Sequence, residues 1–217
     1  MIKALLLIIR PGQTWGGIDA ANRSIAYVLF LHLLPLILLT SAVEGYGLMH
    51  WGRSHRGEMN YVKKYELNEV LIIEAAQSIA YLGLAFLAAY AAKNYAGTFH
   101  RRSTYRHAFT AIAFGLSPLL TLRLGDLLTT SSVLLPWVPW AVGMVLTVAV
   151  LYLGLPCLLK PDPPHAFGLY VMTTFTMVII FGLWRLITWQ FFLGRFPALE
   201  KLVANLAGVS AGVGAPP

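Results

Sequence analysis

The sequence predicts an all-α, polytopic transmembrane bundle of five helices. Five long apolar segments, Ile25–Val43, Val70–Ala92, Phe109–Leu128, Val133–Leu159 and Phe167–Leu193, fill most of the 217 residues. Each reaches or nearly reaches the ~20 apolar residues that cross a hydrocarbon core. Only 12% of residues are charged and 58% are hydrophobic, where soluble domains carry about 25% charge, and mean hydropathy is +0.68. Val133–Leu159 and Phe167–Val178 contain no charged residue at all, which excludes soluble helices with a wetted face. No period-2 alternation recurs over several segments, so a membrane barrel is excluded as well.

Taken in order, residues 1–24 form an N-terminal interfacial segment, 25–193 the five-helix domain and 194–217 a short C-terminal tail. Met1–Ile9 reads as a short amphipathic or interfacial helix that Pro11 stops. Trp15, Gly16-Gly17 and Asp19 follow as a lead-in to the first span, with Trp15 expected at the headgroup level. Pro35 lies inside span one and should bend or loosen it. Glu44–Glu66 is polar, of mixed sign, and long enough for a small external cap. Its His50 and His55 have a spacing compatible with metal or pH sensing, although a polar loop produces such spacing by accident. In span two, Ala85 and Ala89 allow close helix approach. Pro136 and Pro139 with Trp137 and Trp140 mark a rigid, aromatic entry to span four. After Phe196-Pro197 a brief surface helix and a tail are expected.

Lys and Arg set the expected orientation. Lys3, Arg10, Arg23, Lys93, Arg101, Arg102, Arg106 and Lys160, eight residues, flank the N-terminal side; Arg53, Arg56, Lys63, Lys64, Arg195 and Lys201, six residues, flank the other. That bias predicts a cytoplasmic N-terminus and, with five spans, an external C-terminus. The net charge of +7 suits anionic lipid headgroups beside the spans rather than nucleic acid. Neither a phosphate-binding glycine loop nor a zinc-ligand spacing is present, so no cofactor and no metal are expected. The single Cys157 excludes an intrachain disulfide and reads as packing.

Charges inside apolar segments are the candidate functional residues, because an intramembrane charge is costly unless it is paired or faces water. Glu74 in span two, Arg123 and Asp126 in span three and Arg185 in span five are of this kind. The spacing of three puts Arg123 and Asp126 on one helical face, where they can neutralise each other as an interfacial anchor, pack helices or face a substrate. Arg185 can snorkel, pair with Glu74 or Asp126, or contact an anion. Opposite span directions place Glu74 and Arg185 at equal depth, where they either pair or act as separate snorkelling anchors. On the opposite side, Gly154 and Pro156 should interrupt the fourth helix. Together with Lys93, Arg101, Arg102 and Arg106 they outline a basic cytoplasmic mouth for an anionic headgroup or a partner protein.

Three stretches then give a resemblance. Arg10-Pro11 is followed by Trp15 and Ile18; Tyr105-Arg106-His107-Ala108-Phe109 leads to Gly115-Leu116-Ser117-Pro118; and Tyr152-Leu-Gly154-Leu-Pro156 continues to Pro163-Pro-His-Ala166. In order and spacing, over about residues 8–193, the chain resembles the Yip1 domain family in its short-tailed, bacterial-like form. Phe114 or Gly115, where members often have Tyr, and His165, where they often have Lys, depart from the pattern. The resemblance implies a five-helix membrane protein with a cytoplasmic N-terminus, in the bacterial cytoplasmic (inner) membrane. Eukaryotic relatives are associated with vesicle traffic and small GTPases, a function that transfers poorly here because only some two dozen residues precede span one. Bacterial relatives share no assigned activity.

The expected function is a non-enzymatic organising, assembly or accessory factor, since no nucleophile, base and orienting residue form a set. Expected partners are membrane lipids and another membrane protein or a second copy of the chain, with no nucleic acid. A transporter of a lipid or small anionic solute using Glu74, Arg123, Asp126 and Arg185 is the alternative. An intramembrane enzyme with His107, or His50 and His55, as base comes after it.

Overall fold

A computed structural model describes residues 6–7, 10–54, 62–98, 104–129 and 137–208. Among them, five helices are long and apolar enough to cross a membrane, and the fold is an all-α polytopic bundle. A helix α1 (Pro11–Ala21) precedes them. Span one is α2 (Ile25–His50), span two α3 (Leu67–Thr98), and span three α4 (Tyr105–Gly115) continued by α5 (Ser117–Arg123). Spans four and five are α6 (Trp137–Leu159) and α7 (Ala166–Phe192), and a short α8 (Pro197–Leu206) follows. Large side chains such as Ile79, Val145 and Phe175 stand 65–70% exposed on the outside of the bundle. That is the arrangement of a protein whose outer solvent is lipid.

Span three is the axis of the bundle. Every residue from Ala108 to Leu120 is buried, walled by α3, α2 and α6. Small residues make this possible: Ala85, Ala88, Ala89 and Ala92 of α3 are at most 1% exposed, and van der Waals packing at short range is what holds helices together in lipid. At Gly143 of α6 an added Cβ would stand 2.9 Å from the Leu119 Cα, so the backbones of α5 and α6 touch where only glycine fits. Prolines shape the other departures from regular helix. Pro118 has no N–H for the carbonyl one turn back, and span three breaks into α4 and α5 there. Pro35 likewise lacks the donor, and the preceding Leu29–Leu33 widens into a π-helical turn.

Several expectations change. Pro11 begins a helix instead of stopping one, since its fixed φ and missing N–H suit the first helical position; of the expected Met1–Ile9 helix only Leu6 and Leu7 fall among the described residues. Trp15 is 1% exposed, packed inside the protein: its Nε1 donates to the Val150 carbonyl of α6 at 3.1 Å. Gly154 does not interrupt α6, which runs unbroken through it and Pro156. It leaves the space that the Trp15 ring fills, and a Cβ there would collide with the ring. The supposed cap Glu44–Glu66 begins as helix, because α2 extends to His50. It then forms a two-stranded antiparallel hairpin, β1 (Arg53–Ser54) with β2 (Val62–Lys63), with Arg53 opposite Lys63. His55 and Pro136 lie outside the described residues. The helix expected after Phe196-Pro197 is α8.

Candidate functional site

Charged side chains from four spans and the hairpin meet in one buried cluster. Glu44 is at its centre, on α2 and 5% exposed. Gly52, with φ +70°, turns the chain back after α2; an added Cβ would meet the Lys63 carbonyl at 2.5 Å, so only glycine makes this turn. The reversal carries Arg53 onto Glu44, Nη1 to Oε1 at 3.2 Å, with its guanidinium 4.3 Å above the Phe192 ring. Burial lowers the Arg53 pKa from its ordinary value, and the Glu44 carboxylate opposes that shift. From α5, Arg123 donates to the other Glu44 oxygen and, at 3.1 Å, to Oε1 of Gln77 on α3. Its guanidinium also lies 4.4 Å from the Tyr81 ring centroid. Asp126, one turn further along span three, pairs with Arg185 of α7 at 3.2 Å.

All four predicted candidates, Glu74, Arg123, Asp126 and Arg185, are therefore in the cluster, each 7% exposed or less. Their pairing differs from expectation. Arg123 and Asp126 form their ion pairs across helices, to Glu44 and Arg185, while remaining in each other's field along span three. Arg185 is 3% exposed and neither snorkels nor pairs with Glu74; its partner is Asp126. Glu74 lies in the field of Glu44, Arg123 and Arg53, beside Ser41, and its two oxygens make no hydrogen bond of ordinary geometry among the described residues. Ser41 in turn shares a 2.9 Å hydrogen bond with Ser78. The cluster thus gathers three carboxyl groups, Glu44, Glu74 and Asp126, and three guanidinium groups, Arg53, Arg123 and Arg185. Such a set is tolerable in a low-dielectric interior only because it is nearly closed on itself.

Reading the sequence missed Glu44, Arg53, Gln77 as an acceptor, and Tyr81. The available signal was the helical continuation of span one: Thr40, Ser41, Glu44 and Leu48 fall on one face at helical spacing, all buried.

At the opposite end of the bundle the motif residues have packing roles. Ser117, fully buried, hydrogen-bonds Nε2 of His32 at 2.9 Å, and His32 stacks on Phe114 with centroids 3.9 Å apart. The serine–histidine contact ties α2 to span three, and on its other side His32 lines a pocket of about 160 Å³ with Arg23, Tyr27, Thr110 and Phe114. Tyr152 is exposed, edge-on to Tyr170 at 5.2 Å, and Ala166 opens α7. Lys160 and Asp19, at 2.8 Å, link α6 to α1. Of the predicted basic mouth, Lys93 is exposed and Arg106 half-buried, while Arg101 and Arg102 lie outside the described residues. His50 stacks on Tyr46. Among the described residues no three His, Cys, Asp or Glu side chains group as a metal site.

The model of the Yip1 domain matches residues 5–186. The chain belongs to the Yip1 domain family. No curated protein and no solved structure matches it. For a Yip1-domain protein with five apolar spans, multi-pass membrane placement follows directly.

Proposed function

We propose that this Yip1-domain protein is a non-enzymatic organising, assembly or accessory factor for other components of the bacterial cytoplasmic membrane. In this reading the N-terminus is cytoplasmic and the C-terminus external. Its partner is another membrane protein or a second copy of the chain. The observation that carries the reading is the burial and mutual pairing of four members of the charge cluster. Arg123, Asp126, Arg185 and Glu44 are 2–5% exposed and engaged with one another, so the groups best suited to bind a solute hold helices together instead. Buried ion pairs between spans favour one arrangement of those spans, which a scaffold requires. Purifying the tagged protein from its native membrane in mild detergent tests this: a membrane protein should co-purify in near-stoichiometric amount. Recovery of the monomer without any protein partner would refute it.

A second reading, transport of a lipid or small anionic solute, draws on Glu74, whose buried carboxyl makes no ion pair among the described residues. It requires Glu74→Gln to abolish uptake into proteoliposomes while leaving the fold intact.

A further inference from the structure

We propose that the pocket at the start of span one, between α1, α2 and α4, holds the phosphate of an anionic membrane phospholipid on Arg23. This inference does not rest on the accessory role above. Asn22 ends α1 in the left-handed region, with φ +43°, and turns the chain toward α2, so that Arg23 stands between the two helices. Further along α2, the π-helical turn Leu29–Leu33 carries His32 inward, against Ser117 and Phe114 of span three. The recess left between these elements measures about 160 Å³, and Ile18, Arg23, Tyr27, Leu31, His32 and Thr110 are in its lining. It is smaller than the ~300–1,000 Å³ of drug-sized ligand sites, with room for a phosphate group but not for a whole lipid.

Mouth and floor differ in character. Ile18, Thr110 and His32 at the floor are 4–7% exposed, whereas Tyr27 and Leu31 at the mouth are 43% and 61% exposed, and Arg23 is exposed beside them. The Arg23 guanidinium lies 4.7 Å from the centroid of the Tyr27 ring, a stacking that holds its planar fork in one orientation. Among the described residues no carboxylate pairs with it, because Asp19, the acid of α1, is engaged with Lys160 at 2.8 Å. A cation held in place without a counter-charge therefore stands over the opening.

The chemistry of the occupant follows from these surroundings. An arginine fork presents paired N–H donors that match the oxygens of a phosphate. On the side of Leu31 the mouth continues into Phe30, 60% exposed on the outer surface of α2, so it opens toward lipid. Arg23 precedes the first turn of the span, which is the level of the headgroups. The anion at hand there is the phosphate of a bilayer lipid, with its glycerol and acyl chains running outward past Leu31. A zwitterionic lipid brings its own cation beside the phosphate, so a lipid of net negative charge is favoured. The polar side chains of His32 and Thr110 at the floor suit a headgroup and not an acyl chain.

To test this, the full-length protein in detergent is titrated with phosphatidylglycerol, and bound lipid is counted by native mass spectrometry, with phosphatidylcholine and inorganic phosphate as comparison probes. Phosphatidylglycerol should be retained more strongly than phosphatidylcholine. Arg23→Gln should weaken that retention about tenfold, the usual effect of losing a charge-assisted hydrogen bond. Ala21→Trp, at the half-buried rim, should weaken it similarly by filling the space, and it serves if the first variant does not fold. Lys93→Gln, which removes an exposed cation outside the pocket, should leave retention unchanged. Retention insensitive to both pocket variants overturns the proposal, as does an equal loss in Lys93→Gln, the mark of diffuse attraction to a basic surface. Displacement of the lipid by inorganic phosphate at equal concentration overturns the lipid assignment in favour of free phosphate.

Discussion

Arg123 satisfies Glu44, Gln77 and Tyr81 at once, so the cluster should fail first at this residue. Removing one member of a buried pair leaves an uncompensated charge, at about 3–5 kcal/mol. Arg123→Gln and Glu44→Gln are each expected to lower detergent thermostability by that order. Asp126→Asn and Arg185→Gln should do likewise, and their double variant should recover a substantial part of the loss because the two groups are in contact. The combination of Glu74→Gln with Arg185→Gln is expected to be additive, since Arg185 is held by Asp126. Recovery in that combination instead would show that the pairing described here is wrong. The existence of functional charges was legible in the sequence, because a charge in an apolar run stands out. Their partners were not. Spacing of three along one helix suggests a local pair for Arg123 and Asp126, but whether another helix offers a better carboxylate depends on tertiary approach. Glu44 escaped notice because the glycines at 45 and 47 and the polar run after His50 look like a loop.

Close helix approach governs the next scale. α6 meets α5 at Gly143 and α1 at Gly154, two positions where a side chain has no room. Gly143→Ala should cost about 1–3 kcal/mol, the usual range for an overpacked interior, read as a lower midpoint in thermal unfolding. Trp15→Phe keeps the ring but deletes the Nε1 bond to Val150 and should cost about 1 kcal/mol. Gly154→Leu should be far worse alone and partly rescued by Trp15→Ala, which empties the same space; absence of rescue would argue that α1 does not seat on α6. Hydropathy revealed the long helices, and Pro35 revealed the perturbed turn in α2. The role of Trp15 was hidden, because a tryptophan near a span reads as a headgroup anchor until the facing glycine is known.

For the whole molecule, five apolar runs were enough to establish the fold class, since lipid leaves the backbone few ways to satisfy its hydrogen bonds. Span limits moved by a few residues and the order of spans did not. Orientation rests on eight basic flanking residues against six. Reporter fusions after Asn94 and after Pro217 should report opposite faces of the membrane, with the first in the cytoplasm. Both reporters on one face would remove an odd number of spans from consideration.

The distribution of the charged partners along the chain also dictates a timetable for synthesis. Glu44 meets Arg53 only nine positions later, yet its second guanidinium, on Arg123, lies 79 positions downstream, and Asp126 must wait for the last span to deliver Arg185. While ribosomes are still making the C-terminal half, Asp126 therefore enters the membrane before its partner Arg185 exists. A nascent chain stopped after span three should be held at the insertion machinery or degraded, and it should become stable only once Arg185 has emerged.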